Sequence, residues 1–246
     1  MDRLIYTALS GMNSAMDRQR AISSNLANAS TPGFRAESFS TQAMRVVGDT
    51  FDVRGMAQGS VRGADMSPSQ INPTGRPLDV AVRGDALIAV QTADGGEGYT
   101  RRGDLMTDVT GRLLNGDGLP VMGEGGPIAV PPGWQVSIGT DGSVFAADPA
   151  APDAPAETVG RIKLASPAGS AVIKGLDGQL RVPDGGVLPA DPTAELSVGA
   201  LEQSNVNTGD VLVDMIEAQR GFERRAKLIS TADQLDQASA RLMSLS

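Results

Sequence analysis

The sequence predicts an α+β chain: N- and C-terminal helices form an α-helical coiled-coil domain, and a mainly antiparallel β domain joined by an extended connector is inserted between them. Three observations predict it. Apolar residues recur at helical spacing near the start, at Ile5, Leu9, Met12, Met16 and Leu26, with Gln19 and Ser23 in the two remaining positions of that 4-3 seam. A second stripe runs through the end of the chain, at Leu212, Met215, Phe222, Ala226 and Ile229, and continues with a small shift of phase at Ala232, Leu235, Leu242 and Leu245. Between the stripes, short apolar runs are separated by Asp-Gly pairs, the strongest local hairpin signal.

Residues 1–34 are expected to hold the first helix, which stops near Asn28. Ser30-Thr31-Pro32-Gly33 supplies hydroxyls, a fixed φ and a permissive glycine, and Pro32 disfavours helical dihedrals at Thr31. The polar Gln19 and Ser23 weaken the second half of its seam, as in helices that select a specific partner, and the C-terminal stripe is the partner expected. Residues 35–77 are broken by Gly55, Gly59, Gly63, Pro68, Pro73 and Gly75 and read as an extended connector with a β-hairpin. From 78 to 198 the pattern is β. Leu78, Val80 and Val82 alternate with polar or small residues, single strands are expected at 86–92 and 159–165, and Asp117-Gly118, Asp141-Gly142 and Asp177-Gly178 mark turns. The run 148–156 reads as a solvated loop. Residues 199–246 are assigned to the C-terminal helix of the terminal helical domain, the helix itself reading from Thr208 to Leu245 with Asn207 as N-cap and Asp210 in the first turn. Gly221 inside that helix costs about 1 kcal/mol relative to alanine, which a closely packed second helix backbone would explain.

Composition narrows the chemistry. The chain has 246 residues, 40% of them apolar but only 3% aromatic, enough for one or two modest domains. A net charge of -8 disfavours nucleic acid and anionic membrane, either of which needs a basic face to replace counterions. Absence of cysteine excludes a disulfide or thiolate site, and absence of histidine removes the usual general base and the commonest metal ligand. The opening segment lacks the apolar run and cleavage site of a signal peptide, and no stretch approaches the ~18 apolar residues of a membrane span, so no membrane insertion is expected.

No catalytic, cofactor or metal site emerges. Asp104, Asp108, Asp117, Asp141 and Asp177 fall at or beside turns, where aspartate bonds its own backbone. The cluster Gly116, Gly118, Gly123, Gly125, Gly126 does not fit a dinucleotide fingerprint. Asn115-Gly116-Asp117-Gly118 fails as a calcium loop because Leu119 and Pro120 stand where a ligand and a glycine are required. Arg101-Arg102 beside Tyr99 could pair with an anion but reads first as a solvated strand end.

Asn25-Leu26-Ala27-Asn28-Ala29-Ser30-Thr31-Pro32-Gly33-Phe34 resembles the N-x-A-N-x-x-T-x-G-[FY] signature of the bacterial flagellar rod and hook proteins, carried here by Asn25, Ala27, Asn28, Thr31, Gly33 and Phe34. The stretches 75–84, GRPLDVAVRG, and 99–103, YTRRG, are similar to two middle motifs of that family, and 199–207, GALEQSNVN, to its tail motif. The resemblance implies a structural subunit of the proximal rod of the flagellar basal body, without catalytic activity, with the distal rod as the alternative within the family. Implied partners are other flagellar rod proteins, copies of itself and the flagellar type III export apparatus; the implied location is the periplasmic rod. On that reading the two helical seams, Ile5, Leu9, Met12, Met16 and Leu26 with Leu212, Met215, Phe222, Ile229, Leu235 and Leu242, are the assembly interface. The rival from another class is a secreted carbohydrate-active β domain, which needs an acidic cleft rimmed by aromatics, and only Trp134, Tyr6 and Tyr99 stack well on a sugar.

Overall fold

A computed structural model of the chain describes the backbone of residues 2–47, 52–175 and 177–243, and the side chains of residues 7–42, 63–175, 177–231 and 234. In chain order the elements are α1 (Asp2–Ala27), β1 (Glu37–Val47), β2 (Asp52–Ala64), β3 (Ile71–Pro73), β4 (Val80–Val82), β5 (Leu87–Gln91) and β6 (Glu97–Thr100). There follow β7 (Met106–Thr107), β8 (Leu113–Leu114), β9 (Met122–Gly123), β10 (Gly126–Pro127), β11 (Gln135–Ile138), β12 (Ser143–Ala147) and β13 (Glu157–Arg161). The last are β14 (Leu164–Ala165), β15 (Ile173–Lys174), β16 (Leu180–Arg181), β17 (Leu196–Val198), β18 (Ala200–Glu202) and α2 (Thr208–Met243). The chain is therefore α+β, and it divides into a helical unit (Met1–Ala27, Glu37–Gly63, Asn207–Ser246) and a β unit (Asn28–Ala36, Ala64–Val206).

In the helical unit α1 packs along α2 and against β1. Arg18 Nη2 donates to Asp214 Oδ1 at 3.1 Å, while a Cβ at Gly11 would stand 3.8 Å from Arg225 Nε. Residue numbers thus rise on one helix as they fall on the other, so the pair is antiparallel. Asn207 caps α2, its Oδ1 accepting from Gly209 N at 2.9 Å. Within the stretch expected as an extended connector with a β-hairpin lie two long strands, β1 and β2, paired in their own sheet. Glycines weaken a strand without breaking it when a partner completes the ladder, which is why Gly55 and Gly59 lie inside β2.

In the β unit the centre is a five-stranded sheet in the order β14-β5-β6-β16-β15. β5 is buried on both faces, as a continuous apolar run requires. Ile88 and Val90 join a large cluster with Val80, Leu105, Leu113, Val121 and Leu196, whereas Leu87 and Ala89 join a smaller one with Tyr99, Leu180 and Leu188. The Asp-Gly turns close hairpins: β11 pairs β12 across Asp141-Gly142, where Gly142 takes φ +85°, and β15 pairs β16 across Asp177-Gly178. Residues 159–165 do not form one strand. They divide between β13 and β14, which belong to different sheets.

Two further boundaries differ from expectation. β3 lies within the stretch assigned to the connector and pairs antiparallel with β18, which lies within the stretch assigned to the C-terminal helix. α2 starts at Thr208, as the N-cap at Asn207 leads one to expect, and runs to Met243. β18 is buried on both faces, since Ala200, Leu201 and Glu202 are all buried and adjacent strand residues point to opposite sides.

Several turns are closed by a carboxylate. Asp108, Asp141 and Asp191 accept from the hydroxyls of Thr110, Ser143 and Thr193 at 2.6, 2.7 and 2.6 Å, and these bonds hold the three carboxyls below the usual range. Tyr99, fully buried, accepts a hydrogen bond from Leu188 N at 2.7 Å. Burial pushes its phenol up to about 12 from the ordinary 10.0, against the pull of the Leu188 amide. A folded-state value above the unfolded one means that this contribution is intact below pH 10 and is lost as pH rises from 10 through 12. The single Trp134 packs against the larger cluster and reports on this unit. Urea midpoints followed by Trp134 fluorescence should fall between pH 10 and 12 more steeply in the natural chain than in Tyr99→Phe; parallel falls would contradict the assignment.

Candidate functional site

The two apolar seams do not face each other in the way their spacing suggests. On α1 the buried side chains are Ser14, Ala15, Ala21, Ile22 and Asn25, one helical position round from the expected seam. Leu9 and Met16 are 47% and 48% exposed, and Met12 and Leu26 are half-buried. Small side chains let helix axes approach closely, so packing within the unit uses the small face and leaves the bulky one outward. On α2, Ala218 is buried, Met215, Phe222 and Ile229 are half-buried, and Leu212 is 47% exposed, joined outside the expected seam by Val213, Ile216 and Leu228. The side chains of Ile5, Leu235 and Leu242 lie outside the described residues. Gly221 is not crossed by a second helix backbone: a Cβ there would meet Arg225 Nη1 at 3.1 Å.

The motif residues have local tasks. Asn25 clamps the start of β1, its Nδ2 donating to Glu37 O at 3.1 Å and its Oδ1 accepting from Glu37 N at 2.7 Å. Ala27, exposed, ends α1. Asn28 closes the turn that follows: Thr31 N donates to its carbonyl at 3.1 Å and Thr31 Oγ1 to its Oδ1 at 3.2 Å. Gly33 sits at φ +67° with its N–H on Glu202 O at 2.8 Å, and any Cβ there would lie 2.3 Å from the Arg101 carbonyl carbon. Both the left-handed dihedral and the approach to backbone require glycine. Phe34 carries the Lys174 ammonium over its ring, 3.4 Å from the centroid.

Beneath this turn lies a group of charges that the sequence did not suggest. Glu202 is 2% exposed and stands between two buried guanidiniums. Arg35 Nη2 is 2.8 Å from Glu202 Oε1, and Arg101 Nε is 3.0 Å from Glu202 Oε2, in ion-pair contact without hydrogen-bond alignment. Arg101 also donates to the carbonyls of Val82, Ala86 and Gly84 at 3.2, 2.8 and 2.6 Å, and Arg35 donates to Ser67 O. Burial pushes the Arg101 guanidinium below its ordinary value, with Glu202 opposing and Arg35 reinforcing the shift. Arg101 is thus a structural cation and not a solvated strand end. The one local signal was Glu202 in the apolar strand Ala200-Leu201-Glu202, where a charge must find a partner.

Each charge costs several kcal/mol to desolvate, so the triad is a poor source of net stability, but removing its only anion leaves two buried cations unpaired. Glu202→Gln should destabilise the β unit by about 3–5 kcal/mol in urea unfolding followed by Trp134 fluorescence. A loss below about 1 kcal/mol would place the pair in the weak class of surface ion pairs instead.

Other clusters offer less. Beside Arg161 and Lys163, Glu124 and Asp191 line a depression of about 40 Å³, too small for a sugar ring. Among the described residues no group of three or more carboxylates could hold a metal ion, and no helix is long and apolar enough to cross a membrane.

Comparison with known proteins places these features. Residues 5–35 match the family described as flagella basal body rod protein, residues 81–146 the flagellar hook protein FlgE/F/G D1 domain, and residues 197–242 the flagellar basal body rod FlgEFG protein C-terminal region. The chain is 44% identical to the flagellar basal-body rod protein FlgF of Escherichia coli (strain K12) over 252 residues, covering 100% of both. It is 42% identical to FlgF of Salmonella typhimurium, again over 100% of both chains. To the rod protein FlgG of Bacillus subtilis (strain 168) it is 31% identical, covering 98% of this chain and 99% of that one. With its helices, its D1-like β unit and its turn motif all accounted for, the chain belongs to the FlgF family of flagellar basal-body rod proteins, structural components of the rod.

Proposed function

We propose that this rod component assembles through its two terminal helices, which pack in coiled-coil fashion against those of neighbouring subunits to form an axial tube that transmits torque. The observation that carries this reading is the apolar surface left on the helical unit: Leu9 and Met16 on α1, and Leu212, Val213, Ile216 and Leu228 on α2, each at least 47% exposed. Side chains of this size, repeated along paired helices, mark an interaction surface. About half of each is already covered, so burying the rest against a neighbour stabilises by about 1 kcal/mol per side chain, repeated in every copy. Half-buried Met12, Leu26, Met215, Phe222 and Ile229 line the same helices and complete the surface.

The neighbours are copies of this chain and other rod proteins, the site is the proximal part of the rod in the periplasm, and delivery is by the flagellar type III export apparatus. The greater similarity to FlgF than to FlgG supports the proximal over the distal position. The triad is compatible with export as an unfolded chain, because ions rehydrate on unfolding and regain their partners only on folding.

Leu9→Asp, Met16→Asp and Ile216→Asp should each abolish incorporation into basal bodies and motility. The purified variants should melt like the natural chain, since the substituted positions face solvent in the free subunit. Normal rods in all three would show that these faces do not assemble.

A further inference from the structure

We propose that the cleft between α1, β1 and α2 reads carboxylates, and that its occupant is the acidic loop 148–157 of a second copy of this chain. The cleft has a volume of about 470 Å³; Ala15 and Ala218 contribute small side chains, Phe39 a wall, and Arg220, Arg224 and Arg225 a positive rim. Arg18, also at its edge, is committed to Asp214. Among the described residues no carboxylate lies within ion-pair distance of Arg220, Arg224 or Arg225, although Glu217 stands on the same rim. Three unpaired guanidiniums in one hollow of a chain carrying a net charge of -8 point to an anionic occupant.

The shape narrows the choice. A hollow of about 300 Å³ shares Arg18, Phe39 and Thr41 with the first and extends the cleft towards Asn25, but Asp214 and Glu37 line it, so the positive end is the rim of Arg220, Arg224 and Arg225. A groove of this size between helices already in contact admits the tip of a narrow loop, whereas a helix, about 10–12 Å across, is too wide. The segment 148–157, DPAAPDAPAE, a loop that ends on the first residue of β13, has the matching chemistry: three carboxylates, three prolines, and no lysine or arginine. Every residue from 149 to 158 is exposed, the longest exposed run among the described residues. Its ends are fixed by paired strands β12 and β13, and Asp148 accepts from Ala150 N at 2.8 Å. Asp153 and Glu157 have no cationic partner among the described residues. The loop is held by its own turns, Ala151 N donating to Asp148 O at 3.1 Å and Ala154 N to Ala151 O at 2.9 Å, so little conformational freedom is lost when it docks.

Cleft and loop are different surfaces, so joining the cleft of one copy to the loop of the next does not close on itself. It propagates as an open chain, the geometry a rod needs. The inference rests on the proposed packing of copies in the rod, but it concerns surfaces separate from the apolar helix faces.

The test is charge reversal in the full chain. Arg224→Glu with Arg225→Glu, or Asp153→Arg with Glu157→Arg, should each lower the amount of the chain in purified basal bodies by roughly tenfold. A chain carrying all four substitutions should recover incorporation, which also shows that the variants fold. Undiminished incorporation of either pair, or no recovery in the fourfold variant, overturns the proposal. So does a loss confined to the arginine variant, which would assign the cleft to an acidic segment of a different rod protein. Normal incorporation of both reversal pairs while Leu9→Asp still fails would remove this inference alone, whereas normal incorporation of Leu9→Asp would remove the helix-packing reading itself.

Discussion

The ion triad Arg35–Glu202–Arg101 is the constraint on which the rest of the β unit depends. Arg35 follows the turn that leaves α1, Glu202 ends the last strand before α2, and Arg101 follows the central strand β6. One buried carboxylate therefore ties three distant stretches of chain, and the backbone bonds around it reinforce the tie. Gly33 N–H reaches Glu202 O, Asn205 Oδ1 accepts from Ala36 N at 2.7 Å, and Glu202 Oε1 accepts from Ser69 N at 3.0 Å. A greasy contact would hold these stretches together without fixing their register. Two guanidiniums with directed hydrogen bonds leave one arrangement, so the places where the chain leaves the β unit for each helix are fixed within that unit.

The helical unit follows a different logic. Within it, small residues on α1 and Ala218 on α2 make the contact, and the larger apolar side chains are turned outward. A free subunit that buried its bulky seam against its own second helix would have little left to offer a neighbour. On the proposed assembly, using the small face internally would keep Leu9, Met16, Val213 and Ile216 for neighbours, and mass action would then supply the stability missing from the lone helices.

Much of this was legible in the sequence, and the parts that were not share a cause. Helical period located both terminal helices, the Asp-Gly pairs located hairpins, and the N-cap at Asn207 was readable from its side chain alone. Period counts large apolar residues, so it found the outward stripe and missed the inward face of alanine, serine and glycine one position away. Gly55 and Gly59 suggested an extended connector with a short hairpin, whereas paired strands run through both glycines and make β1 and β2 long. Charges that meet across the fold leave almost no trace in either local stretch, which is why Arg101 looked like a solvated strand end and Glu202 gave no sign of its partners.

The central claim is that the apolar faces of α1 and α2 are open in the free subunit and covered in the rod. The chain has no cysteine of its own, so a single thiol placed at Leu9 or Ile216 is a clean probe of that difference. Maleimide labelling of Leu9→Cys and Ile216→Cys should be fast in the purified subunit and suppressed in intact basal bodies, returning when the rods are dissociated. Equal labelling in both states would contradict the account.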